Sequence, residues 1–301
     1  MEISSKKMSS KKKKKLVFWG NEILFLGPAV VLFTLMLVVS FGRSIFYSFT
    51  EWNSITAATF VGFDNFRAMM GDTVFWNSFV FTTWYAVLSV ILNNVLGLTF
   101  ALMITSIKRF SNFFRTTLFI PYAMSAFVLG FIWRFIFLEG FRTIGEATTI
   151  PFFLQPWMGT PSTAFIAMVV MTVWRQVGFI MIIYIAGIMT IPTDVLESAD
   201  ADGASPFQKT FLIKLPMLMQ SITICLFLTI IWAFNVFDLN LSLTAGGPFN
   251  STQSVSLNIY VEAFSFLNHG YATAKAFIFF VVVAFIGVLQ TKATSSREVQ
   301  L

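Results

Sequence analysis

Charge is scarce in this sequence. Of its 301 residues, 20 are Lys or Arg and 14 are Asp or Glu, together 11% of the chain, where a soluble domain carries roughly 25%. So few charges cannot cover the surface of a water-soluble protein of this size. Cysteine is scarcer still. Cys225 stands alone, which excludes an intramolecular disulfide, and its place in an apolar run gives it the character of a small packing residue. The single histidine, His269, excludes a metal centre built on histidines. No GxxxxGK[ST] phosphate loop occurs, so the chain supplies no nucleotide site of its own. A net charge of +6 would suit a nucleic-acid partner, but seven lysines fall in the first fifteen residues. The remainder is close to neutral, and nucleic-acid binding is excluded.

Apolar residues are abundant instead: 56% of the chain is hydrophobic and 17% aromatic, with 38 Phe and 8 Trp. That is too much apolar surface for a solvated disordered chain. The class that remains is an all-α polytopic membrane protein. A helix needs about 20 mainly apolar residues to cross the hydrocarbon core, and six stretches qualify: 23–41, 79–105, 117–138, 163–191, 215–237 and 271–291. Arg134, Arg175 and Lys275 interrupt three of them, Lys275 near enough to an end to snorkel towards water. The first stretch is too long for a cleaved signal peptide and no small-residue cleavage pattern follows it. Six spans place both termini on one side. With that side cytoplasmic, the inner segments hold fourteen Lys and Arg and the outer ones three, Arg43, Arg67 and Arg142; the positive-inside rule then sets both ends in the cytoplasm. Lys11 to Lys15 serve as the anchor of that topology, with contact to anionic membrane lipid as a by-product. The expected organisation is a basic tail at 1–20, a six-helix domain at 21–291 and a cytoplasmic tail at 292–301.

One inner segment is not a simple turn. Residues 191–216 read as two short helices in water. Pro192 ends the fourth span, and Thr193 or Asp194 caps a helix running through Glu197 and Ala199. Gly203 closes it, glycine being at ease in the left-handed conformation at a helix end. Ser205, Pro206 and Gln208 form a capping box with proline at the first helical position, and Pro216 marks the entry to the fifth span. Val195, Leu196 and Ala199 make a small apolar ridge, with Glu197, Asp200 and Asp202 beside it. The ridge suits a groove on a cytoplasmic partner; a loop lying on the membrane is the other reading, against which the three acids argue because the inner leaflet is itself negative.

Here the sequence resembles a known family. Glu197-Ser198-Ala199, Asp202-Gly203-Ala204, Ile213 and Leu215-Pro216 resemble the EAA loop of the membrane subunits of binding-protein-dependent ABC importers. Val61-Gly62-Phe63-Asp64-Asn65-Phe66, Arg115 to Pro121 and Thr244-Ala245-Gly246-Gly247-Pro248 with Ser251-Thr252 are similar to signatures of its sugar subgroup, of the maltose and oligosaccharide type. The resemblance runs from about residue 20 to 290. Two departures, Ser198 and Ala201, shrink or polarise the ridge.

The resemblance implies a bacterial cytoplasmic-membrane permease that performs no covalent chemistry and holds no cofactor. Its partners would be a second, similar permease subunit, a dimer of ABC ATPases that bind ATP, an extracellular solute-binding protein and a sugar, expected to be a di- or oligosaccharide. The ATPase-coupling residues would be Leu196, Glu197, Ala199, Asp202, Gly203, Ala204 and Pro216. Sugars need aromatic faces and hydrogen-bonding groups. Two clusters offer them: Trp174, Arg175, Gln176 and Phe179 in the fourth span, and Trp232, Asn235 and Asp238, spaced three apart on one helix face, in the fifth. By resemblance Trp174, Phe179, Asn235 and Asp238 lie near solute. Asp238 has other readings, at the outer interface or as a structural partner of Arg175 or Arg134, and Trp232 one as a membrane-interface residue. Asn93 and Asn94 read as interhelical hydrogen-bonding groups. An ion-coupled secondary transporter is the alternative, which would need repeats and coupling acids at mid-membrane. A membrane enzyme would need a nucleophile–base set or metal cluster, and the sequence offers neither.

Overall fold

The computed structural model describes residues 24–107 and 109–296; the lysine-rich segment 1–20, Lys108 and the last five residues lie outside them. The regular structure among the described residues is helical but for one short hairpin. In order it forms α1 (Leu24–Ser48), the strands β1 (Thr50–Glu51) and β2 (Thr59–Phe60) paired antiparallel, α2 (Asp64–Met70), α3 (Thr73–Ser106), α4 (Ser111–Ala123), α5 (Ala126–Thr148) and α6 (Pro161–Met189). Then follow α7 (Thr193–Ala201), α8 (Pro206–Met217), α9 (Met219–Phe234), α10 (Asp238–Leu243), α11 (Val255–Phe264) and α12 (His269–Ser295).

Four of these helices are long and apolar enough to cross a membrane, α1, α3, α6 and α12; there are six spans if α4 with α5 and α8 with α9 each count as one bent crossing. The third and fifth expected spans, 117–138 and 215–237, each fall on one of these bent pairs. Between α4 and α5 the axis turns by 96°. Pro121 removes a helical N–H and crowds the preceding turn, and the helix stops two residues later. Between α8 and α9 it turns by 71° at Leu218, two residues beyond Pro216. Residues 49–72, 149–160 and 235–268 gather at one end of the bundle, and 109–110 and 190–217 at the other.

α6 is the central helix. It packs on α3, α4 and α9, burying Ala167, Met168, Met171, Ile180, Met181 and Tyr184. Gly178 allows α4 to close in, because a Cβ there would overlap the Leu118 carbonyl. Buried and half-buried polar pairs join the helices: Tyr85 with Thr172 at 2.6 Å, Asn93 to Gln176 at 3.2 Å, Asn94 to Thr229 at 3.0 Å and Tyr184 to Asn94 at 2.8 Å. Such bonds contribute on the order of 0.6 kcal/mol each in a bilayer, so close packing dominates and the pairs set register. α1 stands largely clear of the bundle and reaches it through α12, where the Phe41 and Phe280 rings meet at 5.0 Å.

Lys275 does not snorkel. It is 1% exposed and ion-paired with Asp72 and Glu262. The aromatics of the first loop divide: Trp52 stacks on Tyr47 at 4.4 Å and the Trp76 indole N–H donates to the Met69 carbonyl, while Phe60 and Phe63 stay exposed. In the second loop Trp157 is buried against Phe137.

Candidate functional site: a polar cavity and a two-helix arm

The cavity lies where two helices break. α5 begins at Ala126 after the turn at Met124, and α9 ends at Phe234, leaving residues 235–237 irregular before α10. Between these breaks and α6 opens a cavity of about 430 Å³, lined by Tyr122, Arg175, Gln176, Trp232, Asn235 and Asp238, with Tyr85 and Thr172 behind them. Gln176 is buried and accepts from Asn93 through Oε1; its amide nitrogen makes no hydrogen bond among the described residues. The Asn235 amide donates to the Ile231 carbonyl of its own helix, leaving its oxygen open to the cavity. Arg175 lies over the Tyr122 ring, 5.4 Å from its centroid, and donates to the Met124 carbonyl, an acceptor released by the α4–α5 break. Among the described residues Asp238 makes no ion pair with Arg175 or Arg134, so both charges face the cavity unpaired.

The residues singled out from the sequence divide. Gln176, Asn235 and Asp238 meet in this cavity. Asn235 and Asp238 are not on one continuous helix face, as their spacing suggested: the helix ends between them, and the irregular turn brings both to the same space. Phe179 does not line the cavity; it stacks on Tyr122 at 4.4 Å and meets Trp232 edge-on at 5.4 Å, backing the two rings that form the cavity's aromatic floor. Trp174 is not in the cavity. It points from α6 into a separate apolar groove with Leu92, Leu96 and Pro121, against Trp133, since neighbouring helical residues face about 100° apart. Tyr122 was missed; its signal is an aromatic placed directly after the helix-breaking proline.

At the opposite end stands the arm formed by α7 and α8. The N-cap of α7 is Pro192, without a side-chain cap, rather than Thr193 or Asp194. Its other end is a Schellman turn: Gly203 takes φ +73°, Gly203 N–H donates to the Asp200 carbonyl and Ala204 N–H to that of Ala199. Ser205 and Gln208 form the expected capping box, and Lys209 pairs with Asp200 across the turn. Ala199 is buried within the turn and Leu196 half-buried, so the ridge expected on α7 turns partly inward. Glu197 and Asp202 are exposed, Ala204 is half-buried and Pro216 is exposed. The outward apolar surface sits mainly on α8, where Phe207, Phe211 and Leu212 are 69%, 50% and 70% exposed, the two rings 4.3 Å apart. These three were not marked in the sequence, where they fall on the approach to the fifth span.

A bundle with a polar cavity at its helix breaks and a rigid helical arm at one end defines a transporter's membrane subunit. Residues 93–295 match the family described as binding-protein-dependent transport system inner membrane component, and the chain belongs to that family. It is 40% identical over 291 residues, 96% of this chain and 99% of the relative, to the probable starch degradation products transport system permease protein AmyD of Thermoanaerobacterium thermosulfurigenes. It is 31% identical, over 94% and 97% of the two chains, to the multiple sugar-binding transport system permease protein MsmF of Streptococcus mutans. Its fold matches a chain of a bacterial ABC transporter involved in importing the acidic polysaccharide alginate, with a TM-score of 0.81, 20% identity and coverage of 96% and 99%. A second structure, of a bacterial alginate ABC transporter in complex with an alginate pentasaccharide-bound periplasmic protein, gives a TM-score of 0.77, 20% identity and 93% coverage of each chain.

Proposed function

We propose that this chain is the transmembrane permease subunit of an ATP-driven importer that moves a di- or oligosaccharide into a bacterial cell. The cavity carries the reading. Its aromatic floor suits the CH faces of a sugar ring, and Gln176, Asn235 and Asp238 supply hydrogen-bonding groups for hydroxyls. In this reading a second permease subunit completes the pathway, an extracellular solute-binding protein delivers the sugar, and two ATPase subunits bind ATP and receive the α7–α8 arm. Closure of the ATPase dimer swings the arm as one rigid piece. Because α8 runs into α9, which lines the cavity, the swing opens the path to each side of the membrane in turn. Both termini lie in the cytoplasm, and Glu197 meets the rim of the ATPase groove while Phe207, Phe211 and Leu212 fill it.

Relatives named for starch products and multiple sugars support the substrate class. A purified complex should contain a second permease and an ATPase, and its ATP hydrolysis should accelerate with a solute-binding protein loaded from a panel of di- and oligosaccharides. Transport by this chain alone, driven by an ion gradient and indifferent to ATP, would overturn the reading in favour of a secondary transporter.

A further inference from the structure

Lys275 is an ammonium group that the cavity does not use. Each of its three N–H donors has an acceptor: Asp72 Oδ2 at 2.8 Å, Glu262 Oε2 at 2.7 Å and Asn258 Oδ1 at 3.2 Å. The Tyr271 ring lies 4.4 Å from the ammonium and its hydroxyl donates to Asp72 Oδ2 at 2.9 Å. The remaining carboxylate oxygens are also engaged, Asp72 Oδ1 by the Phe75 N–H and Glu262 Oε1 by the Asn268 amide. Burial would raise the Asp72 carboxyl, but hydrogen bonds from Lys275, the Phe75 N–H and Tyr271 outweigh it and hold the group below the usual carboxylate range. Three helices thus meet at one buried charge: the cap of α3, the face of α11 and the first turns of α12. Buried ion pairs contribute little net stability, because desolvation offsets their attraction. An ionisable side chain within a spanning helix points instead to a role in function.

The cluster is joined to the cavity rim through α11. The Asn258 amide donates to Gln253 Oε1 at 3.1 Å. Next to Gln253, the Ser254 hydroxyl donates to the Val236 carbonyl at 2.8 Å and the Ser254 N–H to Asn240 Oδ1 at 2.9 Å, and Val236 lines the cavity. The loop 244–254, which runs up to these anchors, carries Phe249, 97% exposed. One end of α11 is therefore fixed to the cavity rim and its face to Lys275.

We infer that Lys275, clamped between Asp72 and Glu262, is a positioning residue that holds α11 on α12 and so presents loop 244–254 in a fixed pose to the extracellular solute-binding protein. This rests on the importer reading above. A loop ordered beforehand binds more tightly than one ordered on contact. The clamp therefore acts on the concentration of binding protein needed, not on the ATPase, which lies at the other end.

The test uses the complete importer in proteoliposomes, titrated with solute-binding protein loaded with the best-transported sugar of the panel. Lys275→Met should raise the half-saturating concentration about tenfold, and Glu262→Gln, which keeps the side-chain shape, about threefold, with basal and maximal ATPase rates within about twofold of wild type. Unchanged half-saturation in the variants overturns the inference, as does an equal fall of basal and maximal rates without a shift, the mark of a merely structural residue. If Lys275→Met does not assemble, Glu262→Gln decides alone: a shift supports the clamp and no shift overturns it. If the wild-type complex shows no stimulation by loaded binding protein, the importer reading falls and the clamp with it; stimulated wild type with unshifted variants removes the clamp alone.

Discussion

At the scale of single residues, chemistry was more legible than direction. Gln176, Asn235 and Asp238 were identifiable because polar groups deep in apolar runs face a cavity or a neighbouring helix, and all three line the same space. Trp174 shows the limit: it lies two positions from Gln176, yet helical geometry sends it into another groove. The contrast gives a prediction with an internal control. A hydrogen bond to a charged group contributes about 1.5–3 kcal/mol, so Asp238→Ala should lower sugar uptake by about tenfold or more, and the neutral Asn235→Ala by about two- to tenfold. Trp174→Ala should keep both uptake and sugar preference, with membrane abundance measured for each. Equal uptake by all three variants would remove the cavity as the solute site. Gly178 offers a packing test. Gly178→Leu must push α4 away from α6, since even a Cβ overlaps the Leu118 carbonyl; overpacking of this kind costs about 1–3 kcal/mol. Lower abundance and a lower unfolding temperature of the purified complex are expected.

At the scale of elements, the turn and capping box of the two-helix arm were legible because their punctuation is local, whereas the N-cap of α7 and the outward apolar face on α8 were not. Ser205, Pro206, Gln208 and Gly203 each do what their own backbone geometry requires. The helix breaks were legible only in part. Pro216 marks the entry to the fifth span, but Pro121 sits inside a long apolar run that hydropathy counts as one span, and a local window gives neither the 96° nor the 71° turn. Lys275 was misread for the same reason: its partners Asp72 and Glu262 lie in other segments, out of sight of any local window. The arm supplies the element-scale prediction. At Gly203 no atom lies within 4 Å of a would-be Cβ, but φ is +73°, a conformation that costs an ordinary residue about 1–2 kcal/mol. Gly203→Arg is therefore accommodated in space but changes the angle between α7 and α8. The variant should reach the membrane and assemble, yet hydrolyse ATP without uptake; normal uptake would sink the lever role. Phe207→Ser with Phe211→Ser should instead weaken ATPase retention during purification, because it removes exposed apolar surface without altering the turn. Undiminished retention would place the docking face elsewhere.

At the scale of the whole molecule, scarcity of charge makes orientation testable. With both termini on the side of the arm, as proposed, fourteen Lys and Arg fall there and three on the other side, seven of the fourteen within the first fifteen residues. In that proposed topology the positive-inside rule puts the arm in the cytoplasm and residues 149–160 outside. The arm can act on an ATPase only with this orientation, so one measurement bears on both topology and coupling. Cys225 is fully buried against Ile180 and Tyr184, which makes Cys225→Ala a usable background for single introduced thiols. Ser198 is exposed on the arm and Gln155 exposed at the opposite end, neither with a left-handed backbone. In intact cells a membrane-impermeant maleimide should label Gln155→Cys and spare Ser198→Cys; after permeabilisation both should react. Labelling of Ser198→Cys in intact cells would invert the molecule and leave the arm without access to any nucleotide-binding partner.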